Sequence, residues 1–428
     1  LRIVEMSQDK LEFLERSREF WNPKKTQDWQ DMGVDLVIDR REGYYLFDMD
    51  GLRLIDVHLN GGTYNLGHRH PELVEVLKVG AERFDMGNHH FPALARTALA
   101  EALAACAPSP DMKFTAYGSG GGEAIDIAIK TARHATQRRK IVSIFNAYHG
   151  HTGLAVKTGD ERFSKIFLSE DREGEFVQVP FNDLAAMEEA LRGNDAAAVI
   201  IETIPATYGF PMPEEGYLPA VKSLCDKYGA LFIADEVQTG LMRTGELWGI
   251  TKYGVEPDIL VTGKGISGGM YPIACVQIRE RCGGWLRQDG FAHMSTMGGA
   301  ELGCVVAMKV LEIVQRPEVR AMVRFNSDFL RAGLDLIKSA YADFFAGIRQ
   351  HGVIMGLEFD HPEGAKPVMK HLYANGVWAI FSTLDPRVLQ FKPGLLLTQA
   401  DAEDLLRRVE IAVDLARDEV KGKRRRAA

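Results

Sequence analysis

Leu231-Phe232-Ile233-Ala234 runs into Asp235-Glu236-Val237-Gln238-Thr239-Gly240, and a second apolar run, Ile259-Leu260-Val261-Thr262, ends in Gly263-Lys264-Gly265. Short apolar runs bounded by glycine and polar residues read as buried strands. In an open α/β sheet, ligands bind outside the carboxyl ends of the strands. Asp235 and Lys264 each fall at such an end, which would hold a carboxylate and an amine side by side. Taken singly, neither residue says much. A lysine beside glycines is usually solvated, and an aspartate after a strand is usually a cap or turn former.

Outward from this stretch the pattern alternates strand, loop and helix between about Lys113 and Gly299. Ile141–Phe145, Ala198–Ile201, Leu231–Ala234 and Ile259–Thr262 are predicted strands; Leu184–Arg192 and Leu218–Tyr228 are predicted helices. Such alternation predicts a mostly parallel sheet covered on both faces. Before it come a helix over Lys10–Trp21, short antiparallel strands over 34–40, 43–48 and 53–57 with a turn at Asp50-Gly51, and helices over 71–84 and 97–107. After it come helices over 300–313 and 319–340, strands over 345–349 and 354–359, a helix over 367–375 and a last helix over 400–420. That end reads as a separate α+β segment.

The chain has 428 residues, 46% of them hydrophobic and 26% charged, which allows a large core in two or three domains. A net charge of −8 argues against a nucleic-acid-binding body. The five cysteines are scattered, without metal-ligand spacing, and read as free thiols of a reducing compartment. No apolar run is long enough to span a bilayer, and no secretory signal is recognised, so a cytoplasmic location is expected. The basic tail from Lys421 reads as a solvated end.

Two further constellations bear on the pair Asp235 and Lys264. Ser119-Gly120-Gly121-Gly122-Glu123 enters a predicted helix, where backbone N–H groups and the helix dipole favour a phosphate. The spacings of nucleotide-binding loops are absent. Tyr148-His149-Gly150-His151 follows a strand, where Tyr148 could stack on a heteroaromatic ring. Phosphate site, stacking ring, carboxylate and amine together suit pyridoxal phosphate. Its aldehyde forms a Schiff base with a lysine, and its pyridinium nitrogen pairs with a carboxylate.

Gly120-Gly121-Gly122-Glu123-Ala124, Tyr148-His149-Gly150, Asp235 to Gly240, Lys264-Gly265 and Ser295-Thr296-Met297-Gly298-Gly299, with Gly67-His68-Arg69-His70-Pro71, together resemble the class III aminotransferase family. The resemblance covers nearly the whole chain. It implies an α/β fold of the pyridoxal-phosphate fold type I. Residues 61–299 would form the large cofactor-binding domain, residues 300–428 a smaller α+β domain, and residues 1–60 a segment packing with the latter. It implies that Lys264 carries the Schiff base and moves the proton, and that Asp235 pairs with the ring nitrogen. Val237 and Tyr148 would cover the two ring faces, Gln238 would bond the ring hydroxyl, and Gly121 and Gly122 would bind the phosphate. Gly120, His149 and Glu202 fall in the matching cofactor motifs, with Thr203 where proline is usual. Thr296 would reach the phosphate of a neighbouring subunit, so a homodimer with sites at its interface is expected.

There are departures. Gly122 stands where Ser or Thr is common. Tyr148-His149-Gly150-His151 looks more like the glutamate semialdehyde aminomutase branch, whereas Gln238 looks more like the transaminases. An aminotransferase acting on an amine or amino acid and a carbonyl acceptor is expected, with an aminomutase, racemase or lyase as the alternative. In members that use glutamate, an arginine before a Pro-Pro-Leu segment binds the α-carboxylate and pairs with a glutamate when free. Here Gln390 and Thr207 fall at those two places, so weak use of glutamate and 2-oxoglutarate is expected. Arg387 and Lys392 are the nearby cations that could substitute, each read more readily as a surface charge beside a strand.

Overall fold

The computed structural model describes residues 9–427, with side chains to residue 422. The first eight residues of the segment expected over 1–60, and the tail's basic side chains from Lys423 onward, lie outside the described residues.

Seven strands form the central sheet, in the order 112–118, 274–279, 259–262, 231–235, 196–202, 140–144, 176–179. Ala274–Arg279 runs antiparallel to both its neighbours, and the remaining pairings are parallel. Alternation along the strands explains why both faces are covered. Val199, Ile201, Phe232, Ala234 and Leu260 enter one apolar cluster with the helices Leu94–Ala105, Leu184–Leu191, Tyr217–Tyr228 and Glu301–Val314. Their alternates Ala198, Ile200, Ile233, Ile259 and Val261 enter another, with the helix Gly121–Thr136. Burying one such aliphatic side chain stabilises by about 1.5–3 kcal/mol.

The two chain ends share a second body of structure. Ile38–Glu42, Tyr45–Asp48 and Arg53–Asp56 form a sheet whose fourth strand is Val377–Trp378, parallel to Arg53–Asp56. A third sheet holds 345–351, 354–359, 385–391 and 380–382 in that order. Leu54, Val57, Leu334, Phe359, Leu389, Phe391 and Val413 meet in one core. At the expected turn, Gly51 has φ +84° and its N–H donates to Asp48 O at 2.9 Å.

Several boundaries differ from expectation. The helix expected over 97–107 runs Leu94–Ala105, the one over 71–84 ends at Ala81, and the first strand begins at Ile38. Met112–Gly118, Phe176–Val179 and Ala274–Arg279 are strands the sequence reading did not name. Among the described residues no helix is long and apolar enough to cross a membrane.

Candidate active site

The carboxyl ends of the parallel strands converge on a cavity of ≈ 150 Å³, open to solvent. It is lined by Gly121, Gly122, Tyr148, His149, Gly150, Glu202, Ile204, Asp235, Val237, Gln238, Thr239 and Lys264. Strand register sets the centre. Glu202 lies opposite Asp235, and Asp235 opposite Val261, three residues before Lys264.

Asp235 is buried, and both its oxygens are engaged. Oδ1 accepts from Val237 N at 3.0 Å, and Oδ2 lies 2.7 Å from His149 Nδ1. A carboxylate only accepts, so His149 Nδ1 carries the hydrogen. His149 Nε2 is buried without a partner.

Lys264 is partly buried, and desolvation of its amine lowers its pKa despite the opposing pull of Asp235 and Glu202. Its backbone sits at φ +44°, a left-handed conformation that costs a non-glycine residue energy. Gly61 is packed against it: a Cβ there would come within 3.0 Å of Lys264 Cε.

Glu202 Oε1 accepts from Tyr148 N at 3.0 Å. Burial, with Asp235 adding to it, pushes the Glu202 carboxyl up to about 7. A folded pKa above the ordinary 4.5 means stability that is complete below about pH 4.5 and is lost as pH rises through about 7. Glu202→Gln removes that titration. Between about pH 5 and about pH 8 it should gain up to about 3 kcal/mol relative to wild type in urea unfolding. A constant difference across that range would show that Glu202 does not titrate there.

The helix Gly121–Thr136 begins after Gly120, which is extended and offers no side-chain cap, so its first N–H groups stay open to an anion. Ser119 N and Oγ both donate to Glu123 Oε2 at 2.7 Å, which folds the entry loop over the first turn. Val237 lies 3.4 Å from where a Cβ would sit on Gly121. At Gly122 a Cβ would come 2.7 Å from Thr152 Oγ1. The threonine hydroxyl thus occupies the space of the side chain that Gly122 lacks. Gly122→Ser should therefore destabilise by roughly 1–3 kcal/mol and loosen phosphate binding. Adding Thr152→Gly should recover most of the loss, and a single Ser variant as stable as wild type would refute the steric account.

Gly120 and Thr296 are outside the lining; Thr296 is exposed in the loop after Phe291. Thr203, at the proline position, donates to buried Glu236, which also accepts from Gly249 N and Ile250 N at 2.8 Å. Gln390 and Thr207 are not in the lining either, and Arg387 is half-exposed and paired with Asp385 and Glu358. Lys392 departs from expectation: it is 1% exposed rather than a surface charge. Thr152, Ile204, Thr239 and Gly61 were given no role from the sequence, although Thr239 lies in the Asp235–Gly240 block and Gly61 in a Gly-Gly pair.

The sequence profile of the class-III aminotransferases matches residues 26–413, and the chain belongs to that family. An uncharacterized aminotransferase of Archaeoglobus fulgidus is 44% identical over 408 residues, 95% of each chain. The putrescine aminotransferase of Pectobacterium atrosepticum is 28% identical over 89% of this chain and 81% of its own. The ornithine aminotransferase of Toxoplasma gondii, whose crystal structure has partial occupancy of pyridoxal phosphate at the active site, superposes with a TM-score of 0.88. It is 25% identical and covers 98% of this chain and 97% of its own. The chain is a pyridoxal-phosphate-dependent aminotransferase with the fold of that class, acting on an amine and a keto acid. The aminomutase, racemase or lyase alternative is not favoured.

The residues present fit the cofactor. The uncapped helix start suits a phosphate, its first two residues Gly121 and Gly122 line the cavity, and Asp235 and Lys264 share it.

Proposed function

We propose that Lys264 is the covalent attachment point of the cofactor and the proton carrier of the reaction. The observation that carries this is a partly buried lysine, strained at φ +44°, in one cavity with Asp235. Pyridoxal phosphate supplies an aldehyde for the substrate amine and a ring that draws electrons from the bonds at Cα. Asp235, held from behind by His149, would keep the ring nitrogen protonated. Tyr148 and Val237 would cover the ring faces, Gln238 would bond the ring hydroxyl, and the N–H groups of Gly121 and Gly122 would hold the phosphate. Glu202 fixes the Tyr148 loop through the Tyr148 N–H. Lys264 Nζ would be the group that holds and moves the proton at the substrate's Cα. Its lowered pKa keeps a fraction unprotonated for that task. Residues 61–299 act as the cofactor-holding domain and the two chain ends as its smaller companion.

Loaded enzyme mixed with one amino donor should convert one equivalent per site and stop until a keto acid is added. Continued turnover without an acceptor would instead indicate a mutase or racemase.

The active unit in this reading is a homodimer in which Thr296 reaches the neighbouring site. Support comes from exposed apolar residues that gather there: Phe91, Leu94, Phe291, Met294 and Met297, with His90 and Phe291 ring centroids 6.1 Å apart. Sedimentation should show twice the 47.6 kDa chain mass. Fully active monomers at high dilution would contradict it. A cytoplasmic location accords with five free thiols.

A further inference from the structure

A second cavity, of ≈ 550 Å³ and open to solvent, lies where the hairpin of Ile38–Glu42 and Tyr45–Asp48 meets the start of the helix Pro71–Ala81. Arg41, Glu42, His68, Arg69, His70 and Pro71 line it, and it shares no lining residue with the cofactor cavity. Its charge is one-sided. Arg41 and Arg69 are exposed, and neither pairs with an acid among the described residues. Glu42, the acid in the wall, is bonded to Arg40 at 2.6 Å. Glu72, in the first turn of the helix, is held by both arms of Arg316 at 2.7 Å. That helix has 11 residues and begins at His70 without a side-chain cap, so the positive end of its dipole adds to the two guanidinium charges.

The imidazoles supply an independent sign. His68 is 3% exposed, and its ring packs on Tyr64 with centroids 4.0 Å apart. Its Nε2 lies 2.9 Å from Asp56 Oδ2. A carboxylate only accepts, so Nε2 carries the hydrogen. His68 Nδ1 is then left buried without a partner, and His70 Nδ1 is in the same state. Buried polar atoms are nearly always bonded, and an exception calls for a cause. Arg69, between the two, sits at φ +53°, where an arginine is strained; strain of this kind gathers at ligand sites.

We propose that this cavity is a second anion site, which binds a phosphate monoester through Arg41, Arg69, the start of the helix Pro71–Ala81 and the imidazole of His68. Two planar guanidinium forks and a helix start call for more acceptor oxygens than the two of a carboxylate; a phosphate monoester brings three. Its second ionisation, near pH 6, lies beside that of an ordinary imidazole. One proton therefore bridges His68 Nδ1 and a phosphate oxygen, whichever of the two atoms holds it. The volume exceeds what the phosphate alone fills, and Leu66 and Pro71 give the organic part of the ester an apolar wall. None of this depends on which lysine holds the cofactor.

The test titrates phenyl phosphate, benzoate and phenol into cofactor-loaded enzyme, followed by calorimetry in a phosphate-free buffer. Loading fills the cofactor's own phosphate site, so further binding reports on other sites. Wild type should bind one phenyl phosphate per chain, at least about tenfold tighter than benzoate or phenol, with affinity falling as salt rises. Arg69→Asn removes the charge and keeps a residue that tolerates positive φ. It should weaken phenyl phosphate binding about tenfold, and Arg41→Ser added to it about 100-fold, with the melting temperature of the unliganded enzyme unchanged. Absence of a saturable site in wild type would overturn the proposal. A double variant that binds as wild type does would overturn it too, by placing the anion elsewhere. Benzoate bound as tightly as phenyl phosphate would overturn the choice of phosphate.

Discussion

Lys264→Ala is expected to lower kcat by about a thousandfold or more while leaving the fold intact. A single general acid–base group contributes roughly 10²–10⁴-fold, and this amine also makes the covalent link. The fold should survive because the cavity is open to solvent, so water can enter the space left behind. A partly desolvated amine is also costly to keep, so thermal stability should match wild type or exceed it slightly. Added methylamine should restore part of the rate, since a small free amine can enter and carry the Cα proton. A variant with more than a tenth of wild-type activity would remove Lys264 from the chemistry. An unfolded variant would show that its role is structural.

Asp235→Asn is the second large effect, expected to lower kcat by roughly 10²–10³-fold, as loss of one preorganised electrostatic partner does. The amide can still accept from one neighbour, but its NH2 cannot accept from Val237 N or from His149 Nδ1–H, so one of the two present bonds is lost. A neutral amide also cannot hold a positive charge on the ring nitrogen. Cofactor should remain bound through the helix N-terminus and the amine, so the loss appears in kcat with cofactor content unchanged. A variant within a few-fold of wild type would mean that another group faces the nitrogen.

Much of this site was legible because its residues sit where apolar runs stop. Asp235, Lys264 and Glu202 each end or follow a strand that is buried on both faces, and such strands announce themselves as short apolar blocks. The strands that escaped notice lack this signal. Phe176–Val179 is an edge strand with only Val179 buried, and Ala274–Arg279 carries Gln277, a buried amide in mid-strand. The antiparallel strand could not be read from composition, because its direction depends on a connection rather than on its own residues.

Lys392 was hidden for a different reason. Alternation of Leu389, Gln390, Phe391 and Lys392 looks like a half-exposed strand with a wet outer face. Here the outer face is itself covered, by Phe210 and Gln238, and only tertiary packing reveals that. Thr152 was invisible in the same way. Its proximity to Gly122 joins a loop to a helix 30 residues earlier, and no local pattern encodes it.

The central claim is that Lys264, out of all the lysines, holds the cofactor. Borohydride reduction of the loaded protein followed by peptide mass mapping tests it directly. The expected result is one modified peptide, containing Lys264, at about one label per chain. A label on Lys392, buried behind the cavity residue Gln238, or on any lysine elsewhere would contradict the account.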